Sequence, residues 1–61
     1  MSMVAELFQF FCDYPERLPE SYGEQVRHEP VHRVVCDYIA GMTDAFFMRT
    51  FDATVGASRS H

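Results

Sequence analysis

The run with the most chemistry in its spelling is His28-Glu29-Pro30-Val31-His32, which satisfies H-E-x-x-H. On a continuous helix this spacing puts two imidazoles one turn apart on one face. They can then hold zinc, with the glutamate beside the metal-bound water. Pro30 stands in the middle. It has no N–H and disfavours helical geometry at Glu29, so His28 is expected outside the helix that carries His32. A third ligand is hard to find, since the remaining histidine is His61 at the end of the chain. The pattern is read as a decoy, and neither His28 nor His32 is assigned a metal. A small zinc metallohydrolase built on the pair stands last among the readings.

The other reactive residues are as sparsely supported. Cys12 and Cys36 each follow an apolar run and precede an aspartate. No neighbouring cation or helix N-terminus is placed to lower either thiol, so both read as small hydrophobes in a reducing setting. Asp37 and Asp44 are seven residues apart, which on one unbroken helix gives a shared face that can meet a ligand or an arginine of another helix. Between them Tyr38 reads as a core tyrosine, with stacking near a substrate as the functional alternative. The three glycines, at 23, 41 and 56, are scattered and form no phosphate-binding loop. No catalytic residue and no cofactor are therefore assigned to this chain. Asp37, Tyr38 and Asp44 are its candidates for ligand or inter-helix contacts.

The elements that would position these residues are all α. Val4, Leu7, Phe8 and Phe11 recur at helical spacing, with Ser2 as N-cap, Glu6 in the first turn and Pro15 as terminator. This predicts a helix over 3–13. Pro19 predicts a short second helix over 19–27, weakened by Gly23. Pro30 is expected to open the longest helix, 30–52, with Val31, Val34, Val35, Tyr38, Met42, Ala45 and Phe46 on one face. Ile39, Phe47, Met48 and Phe51 lie around its side, so it is apolar over most of its girth and suited to burial among other helices. Gly41 in its interior costs about 1 kcal/mol relative to alanine, which a close approach by another backbone or a ligand would explain. The small and polar residues near the end predict a frayed tail. Cys-Asp-Tyr occurs at 12–14 and again at 36–38, but the flanks do not match and no repeat is inferred.

Size sets a further bound. Sixty-one residues allow one small domain. Area scaling gives roughly 6,000 Å² buried on folding, about 60% of it apolar, a contribution on the order of 90 kcal/mol. Ordering the chain at ~1.5 kcal/mol per residue costs about the same. A lone monomer would thus be marginal, yet the chain carries six Phe, three Tyr and four Met. That excess predicts surface meant for another part of a larger protein. The net charge is −4 and the five basic residues are dispersed arginines, which disfavours nucleic-acid binding. No apolar run approaches ~18 residues and the opening residues lack a basic start, so neither a membrane span nor a leader is expected, and the cytoplasm is the default location.

The stretch Arg33-Val34-Val35-Cys36-Asp37-Tyr38-Ile39-Ala40-Gly41-Met42-Thr43-Asp44 resembles the C-terminal signature of bacterial dGTPase-like proteins of the HD superfamily, R-x-V-x-D-Y-I-A-G-M-T-D. Upstream, Leu7-Phe8-Gln9-Phe10-Phe11, Asp13-Tyr14-Pro15, Leu18-Pro19 and Tyr22 are similar to the same family in type and spacing. The resemblance covers about residues 4–51. It departs after Asp44, where the family commonly continues with Arg, an aromatic and Ala-Leu and this chain has Ala45-Phe46-Phe47-Met48.

The resemblance implies an all-α, metal-dependent hydrolase that cleaves a deoxynucleoside triphosphate to the nucleoside and triphosphate. The H…HD…D metal ligands of that family precede the signature and have no counterpart here, so no ligand or catalytic residue is carried over. It further implies that this chain, residues 1–61, is a single helical segment following the HD catalytic core, called the phosphohydrolase-associated region. Its partners would be that core and other copies in a homo-oligomer, with Mg or Mn in the core. The alternative is a stand-alone helical interaction protein that self-associates or binds a partner through its Phe/Met-rich surface.

Overall fold

The computed structural model describes residues 2–57, and the order of elements follows from the local sequence. Helix α1 spans Met3–Asp13, with Ser2 in extended geometry and its hydroxyl accepting from the Val4 N–H at 3.2 Å. The helix ends where Pro15 begins a 3-10 turn, Pro15–Arg17. Helix α2 is Glu20–Gln25. It is shorter than its expected 19–27, because Pro19 keeps extended geometry as the N-cap and 26–28 form turns. Pro30 likewise is the extended N-cap of α3, Val31–Ala40, rather than its first helical residue.

The expected single helix over 30–52 is two helices. α3 closes at Gly41, whose N–H reaches the Asp37 carbonyl at 3.2 Å, and α4 spans Asp44–Phe51. The physical reason lies in residues 41–43. Gly41 weakens the helix, and Thr43 turns extended and offers its hydroxyl to the Phe46 N–H at 3.2 Å, a new N-cap with Asp44 in its first turn. Gly41 has φ −87° and needs no left-handed conformation, and a Cβ there would meet only the Asp37 and Tyr38 carbonyls at 3.7 and 3.8 Å. The glycine marks a helix end, not a close approach to another segment.

The break resets which face is buried. Had α3 continued, its face would have run on through Ala45 and Phe46; instead Phe47 and Phe51 stack at 6.3 Å and Phe51 enters the core. Beyond α4 the described chain continues for one more turn. Asp52–Gly56 forms a π-helical turn, with Ala57 N–H reaching the Asp52 carbonyl, and Val55 is buried. Residues 58–61, the rest of the expected tail, lie outside the described residues.

The core is Leu7 and Phe11 of α1, Leu18, Val34 and Val35 of α3, and Phe51 and Val55. Val4, expected on the buried face of α1, is 53% exposed, and the face turns instead toward Phe8 and Phe10, both half-buried. Among the described residues the structure has no strand. No helix is long and apolar enough to cross a membrane.

Candidate functional site

The H-E-x-x-H residues do not share a helix. His28 belongs to the turn after α2, its N–H bonded to the Gln25 carbonyl at 2.9 Å, while His32 is on α3 beyond the extended Pro30. Glu29, which would be the general base, faces Arg33 at 3.7 Å in an exposed pair of little energetic weight. Among the described residues no three His, Cys, Asp or Glu side chains are grouped to hold a metal ion. Cys12 is half-buried, and burial pushes its thiol up, with the neighbouring Asp13 carboxylate adding to the effect; Cys36 is exposed. Burial and Asp13 thus both oppose a thiolate at Cys12.

The three candidate contact residues separate. Asp37 is on α3 and Asp44 opens α4, so the helix break removes the shared face that seven-residue spacing implied. Both are exposed. Tyr38 is half-buried and meets Phe11 edge-on at 5.4 Å on one side and Tyr22 at 4.8 Å on the other. Its phenol is pushed above the ordinary value by burial and by the adjacent Tyr22 phenol, while a hydrogen bond with the Thr50 side chain works the other way. Thr50 in turn accepts the Thr54 hydroxyl on its carbonyl at 2.7 Å, which ties the π turn to α4.

Tyr38 also lines an open groove of about 360 Å³ where the end of α3 meets the start of α2. Pro19, Tyr22, Gly41, Met42, Thr43 and Phe46 complete its wall. Tyr22 was visible beforehand as part of the Leu-Pro-…-Tyr pattern, but the facing of Tyr22 and Tyr38 depends on how α2 folds back. Phe46 was expected on the buried face and is 46% exposed here. The wall has rings, a thioether and hydroxyls, and no carboxylate, amine or imidazole lines it. Such a groove can bind and orient a group.

Known proteins place this architecture. The family model described as the phosphohydrolase-associated domain matches residues 1–53. A deoxyguanosinetriphosphate triphosphohydrolase-like protein of Leptospira interrogans is 35% identical over 84% of this chain and 13% of its own length. Proteins of the same name from Haemophilus influenzae and Geobacter metallireducens are 43% and 44% identical, over 80% and 79% of this chain and 12% of theirs. The chain thus spans about one-eighth of the length of these relatives. No solved structure matches it significantly. A family match over nearly all the described residues, together with relatives 35–44% identical over about four-fifths of this chain, shows that it belongs to the phosphohydrolase-associated domain family of dGTPase-like proteins.

Proposed function

We propose that this chain is the supporting C-terminal region of a metal-dependent deoxynucleoside triphosphate triphosphohydrolase, and that it is not catalytic by itself. It packs on the HD catalytic core, and contributes to contacts between copies in a cytoplasmic homo-oligomer. The observation that carries the reading is the family match over residues 1–53, in relatives where the region makes up about one-eighth of the protein. The physics agrees. After folding, Met3, Val4, Tyr14, Phe46 and Met48 still expose 37–53% of their surface. In a marginal domain such apolar surface favours a permanent neighbour.

The divalent ion of the reaction, Mg or Mn, belongs in this reading to the core. That no three His, Cys, Asp or Glu side chains are grouped among the described residues supports placing it there. What they supply is a helical platform, with Tyr38, Asp37 and Asp44 available for inter-helix contact or for the edge of a nucleotide pocket.

The test is an assay of the 61-residue chain with dGTP and Mn²⁺ or Mg²⁺, following release of inorganic triphosphate. No release above buffer is expected. Metal-dependent release from the chain alone would overturn the reading.

A further inference from the structure

The groove at the α3–α4 break has an electrostatic character as well as an apolar one. The last carbonyls of any α-helix lack helical partners and carry its negative pole. At the end of α3 the Asp37 and Ile39 carbonyls are taken by the Gly41 and Met42 N–H groups. The Tyr38 and Ala40 carbonyls receive no backbone N–H among the described residues. Gly41, which lacks a side chain, stands beside this end in the groove wall. Asp37 lies one residue before Tyr38, and Asp44 offsets the positive pole of α4. The groove is therefore an aromatic wall of Tyr22, Tyr38 and Phe46 beside a negative helix end.

From this geometry we infer that the groove receives an arginine side chain from the remaining, catalytic part of the same protein, a proposal that rests on the supporting-region reading above. A guanidinium is planar, stacks on tyrosine faces, and offers several N–H donors at once to carbonyls. A lysine ammonium meets the charge but not the flat rings. A triphosphate in the groove is opposed by the same carbonyls. The chain has the room for such a donor outside itself, because the Leptospira relative has most of its length beyond the 13% that this chain matches.

The experiment places this chain on the Geobacter metallireducens relative in place of that protein's matching region, with a photo-crosslinking phenylalanine derivative at position 46. Phe46 is exposed, so the replacement leaves the core intact. The same derivative at Met48, two residues on and on another side of α4, is the control. The expected result is an intramolecular crosslink from 46, absent from 48, to a catalytic-part segment with an arginine within about one helical turn of the linked residue. Replacing that arginine by glutamine should abolish the link.

A link to the catalytic part with no arginine nearby overturns the guanidinium and leaves the supporting-region reading standing. A link solely to a second copy, or none to the catalytic part, overturns the groove proposal, while the supporting-region reading is tested separately by deleting the region from the relative. Should the chimera not fold, the isolated chain is titrated with N-acetylarginine amide and N-acetylcitrulline amide by NMR. Shifts at Tyr22, Tyr38 and Gly41 with arginine alone support the site, and equal or absent responses contradict it.

Discussion

The seam between α1 and α3 and the groove at the end of α3 share a wall, yet one is closed and the other open. In the seam, Leu7, Phe11, Val34 and Val35 are each at most 1% exposed. In the groove, Tyr22 and Tyr38 remain half-buried and Phe46 is 46% exposed. Tyr38 borders both, its ring T-shaped to Phe11 and tilted against Tyr22. Branched aliphatics and one ring interdigitate to full burial between two helices. Three rings and a proline around a helix break do not close on themselves. The comparison separates what holds this chain together from what it offers to a neighbour.

The sharpest way to break that distinction is to remove a seam residue. Leu7→Ala deletes a side chain of zero exposure and should cost about 2–5 kcal/mol, enough to unfold a marginal domain. Far-UV circular dichroism with urea titration measures it, and an unchanged midpoint would mean the seam is not the core. Thr43→Ala removes the cap that separates α3 from α4 and should cost about 1 kcal/mol in the same titration. Gly41→Ala meets no clash and has a φ that alanine accepts, so stability should rise by about 0.4–1 kcal/mol. A fall instead would show that Gly41 is packed within the seam. Phe46→Ser should change the stability of the isolated chain by no more than about 0.5 kcal/mol, as befits an open groove.

The smallest effect is a pH dependence. Tyr38 and Cys12 are both held above their ordinary values of 10.0 and 9.0, so the folded state binds their protons more tightly than the unfolded chain. Their contribution is complete below about pH 9 and fades as pH rises through the folded values. Thermal melts between pH 8 and 11 should show stability falling, and less steeply in Cys12→Ala. A rise with pH would contradict the assigned burial.

How far the fold could be read in advance differs between these same regions. α1 was legible because cap, periodicity and terminator agreed, at Ser2, Leu7–Phe11 and Pro15. Over 30–52 two signals competed. Apolar residues kept helical spacing through the break, while Gly41 and Thr43-Asp44 spelled an end and a new start. The local signals won, because capping satisfies backbone groups that periodicity does not count. Val55 stood alone among small residues, so neither its burial nor the π turn had a pattern to announce it. The groove needed α2 to bring Tyr22 against Tyr38, a tertiary fact. Family membership was legible from the 33–44 signature, a match of residue types in order that does not depend on the helix boundaries.

The central claim is that the catalytic part of a dGTPase-like protein needs this region although the region performs no chemistry. The most direct test compares the Geobacter metallireducens relative in three forms: intact, with its matching region deleted, and with that region replaced by this chain, which is 44% identical to it. Metal-dependent release of triphosphate from dGTP should be lost on deletion and restored by the replacement. Full activity in the deleted form, or a folded replacement that stays inactive, would contradict the account.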